Sequence, residues 1–228
     1  MTLEISESAV LERLMTNRFT CRAYQSRALD GELIRSMVDM ARRSASWCNV
    51  QPWQLVITES IESTECFRNA LVEHAENHPE VESDFPFPPR YEGQYAQRRR
   101  EAGFALYKAL GIARENTEQR LSHSFENFRL FGAPHVAIIT VPAQLGVYAA
   151  VDAGGFINSF LLSAQAHGIA TTPQAALARH ARFVRGYLNI PDTHHMVCGI
   201  SFGYADFSHP VNQFRTGRAS VDELVRFV

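Results

Sequence analysis

The chain has 228 residues, of which 46% are hydrophobic and 20% are charged, and this is typical of one soluble globular domain spanning residues 1–228. The formal net charge of −2 argues against a nucleic-acid partner, because such partners select a basic surface, and we interpret the basic run 98–100 as a solvated helix face. The four cysteines form no CxxC pair and no zinc-ligand spacing, so no metal site is predicted and a reducing compartment is indicated.

The first half of the chain is predicted to be mainly helical. Its N-terminus lacks the basic and apolar regions of a signal peptide, and no apolar run approaches the ~18 residues of a membrane span, so we expect a cytoplasmic protein without membrane contact. Helices are predicted from about Ser6 to Met15 and after the N-cap Asp30, and residues 53–60 alternate like a strand. Residues 60–93 are predicted to be a surface excursion, with a short helix at about 63–77 and a proline-rich stretch, 79–93, that is a candidate lid.

The second half contains the predicted core. HVAIITVP (135–142) is a nearly continuous apolar strand, GGFINSFLLSAQAHG (154–168) is an apolar helix, and HHMVCGISFGYA (194–205) is a second strand. Shorter helices are predicted at 95–111, 117–128, 181–189 and after the capping box Ser220–Glu223. Many helices and few strands, without strict alternation, favour an α+β fold.

Two arginine pairs stand out once common catalytic motifs are excluded. GxGxxG, GxxxxGK[ST] and GxSxG are all absent, which leaves Rossmann, P-loop and hydrolase chemistry without residues. Arg18 and Arg22 flank a short irregular segment, and Arg215 and Arg218 lie in NQFRTGR. A phosphate bound without a glycine cradle needs guanidinium forks and hydroxyl or amide donors to replace its lost hydration. Exposed arginines are common, so the pairs alone favour a solvated surface over a phosphate site.

The segment SWCNVQPW (46–53) lies where a predicted helix meets a predicted strand. Its Asn and Gln amides suit a heterocycle that offers both hydrogen-bond donors and acceptors. A turn whose Trp packs into the core accounts for the same residues. The segment therefore leaves both interpretations open.

Taken in order, these segments resemble the NAD(P)H-dependent nitroreductase family. R-x-[ST]-x-R at 18–22 is followed about two dozen residues later by S-x-x-N-x-Q-P-W, and then by ENFRLFGAPHVAIIT, DAGGFINSFLLSAQAHGIATTPQAAL and GISFGYADFSHPVNQFRTGR. The five blocks cover roughly residues 16–227. The resemblance implies a three-layer α+β fold, in which helices flank a central mixed β-sheet, and an intertwined homodimer with FMN at the interface. It also implies NADH or NADPH as donor and a nitroaromatic, quinone or similar electron-poor compound as acceptor.

The resemblance assigns the arginines to the cofactor. Arg18 and Thr20 match groups near the FMN phosphate, and Arg218 matches the C-terminal phosphate contact, with Arg215 as its helper. Arg22 matches the basic residue at the pyrimidine edge of the flavin. Since the anion left when reduced flavin loses its N1 proton is favoured by a nearby cation, we expect Arg22 to tune the flavin, and no other catalytic residue is predicted.

Two further blocks match cofactor contacts. The first is the stretch that the partner chain presents to the isoalloxazine and ribityl groups, here Ser46, Trp47 and Asn49. The second is the loop TTPQAAL, whose backbone lies by flavin N5, and consists of Pro173, Gln174 and Ala175. The chain departs from the family pattern at Phe19, where a basic residue is frequent, and at Trp47 and Cys48, where small residues are common. These departures put the substrate range in doubt, and they leave FMN binding as expected.

Three functions fit this pattern. The first is ping-pong reduction of electron-poor aromatics or quinones. The second is specialised flavin chemistry on the same fold, such as reductive dehalogenation or flavin breakdown, and the third is a non-enzymatic FMN-binding module. The sequence names neither the physiological acceptor nor the preference between NADH and NADPH, because no ribose-reading residue can be placed without a Rossmann unit.

Overall fold

The computed structural model describes residues 6–228, and it confirms the α+β class. The helices and strands of that range, in chain order, are α1 (Glu7–Asn17), α2 (Gly31–Ala41), β1 (Gln54–Ile57), α3 (Ile61–Asn77), α4 (Gly93–Ala109), α5 (Thr117–Phe125), β2 (His135–Pro142), α6 (Gly146–Ala166), β3 (Ala170–Gln174), α7 (Ala181–Tyr187), β4 (His194–Gly203) and α8 (Val221–Leu224). Asp30 caps α2 as predicted, since its Oδ1 accepts the N–H of Glu32 at 2.8 Å.

The four strands form one sheet in the order β1-β2-β4-β3, and every neighbouring pair is antiparallel. The expected mixed sheet is therefore corrected in its strand directions. β2 and β3 both run opposite to β4 and so share one direction, but β4 lies between them and no adjacent strands are parallel. Among the residues described, the parallel pairing is limited to the isolated bridge between Thr20 and Thr171.

Helices cover both faces of the sheet, which makes the fold three-layered as expected. Alternate residues of β2 face opposite cores: Ala137, Ile139 and Val141 pack with α2 and α6, whereas Val136 and Ile138 pack with α3 and α7. A strand with two buried faces has no polar face, and this is why its sequence is continuously apolar. The apolar run of β2 therefore indicates its position in the interior of the sheet.

The prediction that the segment TTPQAAL forms a loop is wrong for its first four residues. Thr171, Thr172, Pro173 and Gln174 belong to β3, which pairs with β4 at the edge of the sheet. Proline lacks a ladder donor and is tolerated on an edge strand. The sequence did not predict this strand, because Pro and Thr residues give it no apolar pattern and its burial comes from pairing with another strand.

Helix α6 is more apolar than one buried face requires. With the preceding turn it spans Ala143–Ala166 and is long and apolar enough to cross a membrane by length and composition, which our sequence analysis did not expect. Core helices of soluble proteins pass the same test, and Phe156 and Phe160 of α6 are fully buried against the sheet. Its opposite face leaves Val147 and Val151 68% and 62% exposed. This face is apolar surface that residues 6–228 of the single chain leave uncovered.

The first half of the proline-rich excursion is attached to the rest of the fold by side-chain contacts. The Asp84 carboxylate pairs with Arg185 of α7 and also accepts the backbone N–H of Met196 at 2.7 Å, with both charged side chains about nine-tenths buried. Phe85 packs against the edge of the core. This anchor lies at the start of β4, whereas the two predicted arginine pairs lie beyond the other end of β4. The lid role of 79–93 stays a prediction.

Replacing Asp84 with alanine is expected to destabilise the fold by about 3 kcal/mol, because Arg185 would keep a buried charge without its partner. The measurement is the free energy of unfolding in urea. Glu82→Ala is the matched control, since Glu82 forms only an exposed 3.8 Å pair with Arg182 and should cost less than about 1 kcal/mol. Equal effects of the two substitutions would contradict the anchor.

Candidate functional site

Both predicted arginine pairs line one cavity of about 690 Å³, which we call the arginine cavity. Its walls come from the end of α1 and the following segment, and from the C-terminal segment before α8. The predicted site residues among its lining are Arg18, Thr20, Arg22, Arg215 and Arg218. Groups almost 200 positions apart in the sequence therefore meet at one place.

A buried asparagine joins the two ends of the chain. Asn212, 1% exposed, accepts the backbone N–H of Arg22 on Oδ1 at 2.8 Å and donates from Nδ2 to the carbonyl of Ala23 at 2.8 Å. The isolated bridge of Tyr24 with Ala205 continues this contact. Asn212 was not predicted to be a site residue, although it is the first residue of NQFRTGR.

The arginine cavity carries uncompensated positive charge. Burial, together with the neighbouring charge of Arg218, lowers the pKa of Arg18, and burial lowers the pKa of Arg22. Among residues 6–228, no carboxylate lies within the 4.0 Å ion-pair distance of either arginine, nor of Arg215. Like charges held together without a counterion favour binding of an anion, because the anion removes their mutual repulsion.

Aromatic rings hold the guanidinium groups in place. The Arg22 group lies 5.9 Å from the ring centres of both Phe131 and Phe214, and the Arg215 group lies 4.1 Å from that of Phe19. Phe19, at the position where a basic residue is frequent in the family, thus supports a cation supplied by the other end of the chain. Phe131 has a left-handed backbone (φ 51°), a conformation that non-glycine residues keep mainly at functional sites.

The thiol nearest this cavity is not a nucleophile. Burial raises the pKa of Cys21 to about 11, so its thiol stays protonated at neutral pH. Of the cavity's polar groups, the arginines and the Thr20 hydroxyl can bind an anion, and none is a neutral-pH base or nucleophile. The arrangement suits binding of a group that brings its own reactivity.

The second predicted block lies elsewhere on the same chain. Ser46, Trp47 and Asn49 are largely exposed and do not line the arginine cavity. The Trp47 ring packs edge-on against Tyr148 of α6 at 4.4 Å, and its backbone N–H donates to Asp152 at 3.2 Å. This block therefore sits beside the uncovered apolar face of α6.

The third predicted block lies next to the cavity without lining it. Pro173, Gln174 and Ala175 follow Thr171, which pairs with Thr20. The Gln174 side chain is buried and satisfied, since it donates to the carbonyl of Asn127 at 2.8 Å and accepts from the Ser201 hydroxyl. The Gln174 side chain is therefore already committed to contacts within the chain, and a backbone contact of this block with flavin stays a prediction.

A sequence model described as the nitroreductase family matches residues 15–204. The chain belongs to the nitroreductase family. The match includes the first arginine pair and the two other predicted blocks, but it ends before Arg215 and Arg218. The structure supplies the missing connection, because it brings this second pair into the cavity of the first.

Relatives in this family span nearly the whole chain. Nitroreductase NfnB of Mycolicibacterium smegmatis is 34% identical over 99% of this chain and 95% of its own, and a 4-nitrobenzoate reductase of Nocardioides is 32% identical over 95% and 89%. The crystal structure of FMN-dependent NfnB from Mycobacterium smegmatis with NADPH superposes with a TM-score of 0.92, at 34% identity and coverage of 98% and 100%. That of the FMN- and NADPH-dependent NfnB from sphigopyxis gives 0.91, at 28% identity and coverage of 95% and 98%.

Proposed function

We propose that the arginine cavity binds FMN and that the protein is an NADPH-dependent reductase of nitroaromatic compounds. The observation that carries the proposal is the convergence of Arg18, Arg22, Arg215 and Arg218 on one cavity, where none of them forms an ion pair with a carboxylate of residues 6–228. The relatives that match nearly the whole chain are described as FMN- and NADPH-dependent nitroreductases and as a 4-nitrobenzoate reductase. NADPH is proposed as the donor on the strength of these relatives.

The residues of the cavity fit the cofactor. Burial and, after it, the charge of Arg218 lower the pKa of Arg18. A phosphate dianion would relieve the repulsion between the two arginines, and the Thr20 hydroxyl offers a further donor. A volume of about 690 Å³ lies within the range of small-molecule sites. The fit depends on both ends of the chain, since either arginine pair alone would leave the anion half-neutralised.

When bound, FMN supplies the redox chemistry, taking a hydride from NADPH and passing electrons to the acceptor. The protein's own residues bind and orient. Arg18 and Arg218 would hold the phosphate. Phe131 and Phe214 keep the Arg22 guanidinium in position, and Arg22 would supply a fixed positive charge to the flavin. Because donor and acceptor would use the same open face in turn, we propose ping-pong kinetics.

The active form is proposed to be an intertwined homodimer. The apolar face of α6 that carries Val147 and Val151 needs a cover, and the block containing Trp47 lies beside it, where a partner chain would meet it. β1 is an edge strand with a groove of about 510 Å³ between it and α2, and the penultimate residue Phe227 is 82% exposed. A C-terminal tail that crosses to the partner's β1 would cover the edge strand of the partner and bury its own Phe227.

Stopped-flow mixing of FMN-loaded protein with NADPH tests the function. Rapid bleaching of the flavin absorbance is expected, followed by its return when 4-nitrobenzoate is added. Double-reciprocal plots of the steady-state rates at several fixed concentrations of the second substrate should give parallel lines. Bleaching without transfer to any nitroaromatic or quinone, but with release of halide or of a flavin fragment, would favour the specialised chemistry. An absence of bleaching with NADPH and with NADH would leave a binding module and overturn the proposal.

A further inference from the structure

A second cavity lies between α4 and α5 and has a volume of about 820 Å³. We call it the α4–α5 cavity. Its charged lining is entirely basic, and its aromatic lining comes from one face of α4. These residues are Arg99, Arg100, Lys108, Arg114 and Arg120, with Phe104 and Tyr107. A concentration of five cations is notable in a chain whose formal net charge is −2, and it creates a local field that attracts anions.

The five cations have no counterions in the part of the chain that the structure describes. None of them forms an ion pair within 4.0 Å, although Glu101, Glu115 and Glu118 are close in sequence. These three carboxylates do not line the cavity, and Glu101 instead accepts a hydrogen bond from Gln97. The buried Nε of Arg120 also lacks a hydrogen-bond partner. An unsatisfied buried donor on a cation indicates a missing acceptor.

Rings and guanidinium groups form flat surfaces in this cavity. The Arg114 guanidinium lies 5.3 Å from the ring centre of Phe104, and that of Arg120 lies 6.0 Å from the ring centre of Tyr107. Phe104 is 49% exposed, so its ring is open to a ligand. Aromatic rings and guanidinium planes are the surfaces on which nucleobases stack. The cavity thus combines phosphate-binding forks with stacking surfaces.

The α4–α5 cavity is a near neighbour of the arginine cavity. Three contacts connect them: Tyr107 to His123 at 6.5 Å between ring centres, His123 to Phe131 at 6.1 Å, and Phe131 to the Arg22 guanidinium at 5.9 Å. Burial and the charge of Arg22 lower the pKa of His123, so the imidazole is neutral at pH 7 and adds no cation. NADPH carries its 2′-phosphate at the end remote from the nicotinamide. A phosphate site a few side chains from the flavin is where that end would lie.

We propose that the α4–α5 cavity binds the adenosine 2′,5′-bisphosphate end of NADPH. This inference rests on the proposed function and names the donor-specific part of that site. Arg114 and Arg120 bind the 2′-phosphate, Arg99 and Arg100 supplement the field, and the adenine stacks on the Phe104 side of the cavity. NADH lacks the 2′-phosphate and would leave these guanidinium groups unpaired, so the cavity selects NADPH.

Titration calorimetry with 2′,5′-ADP on the FMN-loaded protein tests this directly. Wild-type protein is expected to bind 2′,5′-ADP roughly 10- to 100-fold more tightly than 5′-AMP, the effect of hydrogen bonds to a charged group. Arg120→Ala and, separately, Arg114→Ala should remove most of that difference and raise the KM for NADPH while leaving FMN content and the KM for NADH unchanged. Arg90→Ala is the matched control, because Arg90 is an exposed arginine outside the cavity.

The outcomes separate this inference from the proposed function. Failure of the function would appear in the wild-type protein as flavin that no nicotinamide donor bleaches. The inference is overturned if wild-type protein bleaches with NADPH but binds 2′,5′-ADP no better than 5′-AMP, or if neither arginine variant differs from Arg90→Ala. It is also overturned if the two variants raise the KM for 4-nitrobenzoate alone, which would assign the cavity to an acceptor carboxylate.

Discussion

Protein in which both Arg18 and Arg218 are replaced by alanine is expected to purify without flavin colour and to regain little FMN when it is added. The two guanidinium groups come from opposite ends of the chain and repel one another across the arginine cavity, where burial and Arg218 lower the pKa of Arg18. The phosphate is the group that makes their proximity favourable. Each single substitution should weaken FMN binding by about 1.5–3 kcal/mol, the scale of a hydrogen bond to a charged group.

The double substitution gives the larger and more informative result. The two arginines repel each other in the empty cavity, so removing one of them relieves this repulsion. The double variant should lose more FMN affinity than either single variant. Without FMN, it should unfold no more easily than the wild-type protein. Flavin fluorescence titration and urea unfolding of the flavin-free protein measure the two quantities. Arg182→Ala removes an arginine that lies outside the cavity, on α7, and should leave FMN affinity unchanged. Wild-type affinity in the double variant would remove the phosphate assignment.

Local sequence patterns predicted the parts of the fold whose causes are local. β2 was predictable at its full length because a strand buried on both faces has few polar positions, and α2 was predictable at its start because Asp30 caps it. β3 was not predictable from its residues. Thr171 and Thr172 are buried by pairing with β4, a contact that the sequence around them does not encode.

The candidate site shows the same division. The types of residue at 18–22 and 215–218 indicated an anion site, but their meeting depends on the hydrogen bonds of Asn212 to Arg22 and Ala23 across about 190 positions. Spacing carries no information about such a contact. The basic run 98–100 illustrates the converse. As sequence it is typical of a solvated helix face, and Arg114 and Arg120 reach the same cavity as Arg99 and Arg100 only because the chain turns after α4.

One part of the predicted site is not assembled within the single chain. Ser46, Trp47 and Asn49 lie beside α6 and do not line the arginine cavity. Cys48, Asn49 and Gln51 all have left-handed backbones, with φ of 51°, 55° and 50°, and such strain in non-glycine residues is kept mainly where a precise shape is needed. Exposed strain beside an uncovered apolar helix face is what an unassembled shared site would show. The partner chain is the simplest source of the missing wall.

Val151→Asp is therefore expected to convert the protein to a monomer and to remove its FMN at the same time. Val151 lies at the centre of the exposed face of α6, between Val147 and Asn158, and is 62% exposed in the single chain. In a dimer packed through this face, each introduced carboxylate would be buried in an apolar interface, at a cost of several kcal/mol. Each 1.4 kcal/mol weakens the dimer tenfold, so the Kd of the dimer is expected to rise by about 100-fold or more.

Sedimentation velocity combined with flavin absorbance distinguishes the possible causes of such a loss. Val81→Asp places the same charge on an exposed valine of the proline-rich excursion and should leave both the dimer and its flavin intact. A monomeric Val151→Asp protein that still holds stoichiometric FMN would show that one chain completes the site alone and would assign the block around Trp47 to another purpose. A wild-type protein that is already monomeric with FMN bound would contradict the shared site itself, because the arginine cavity would then suffice.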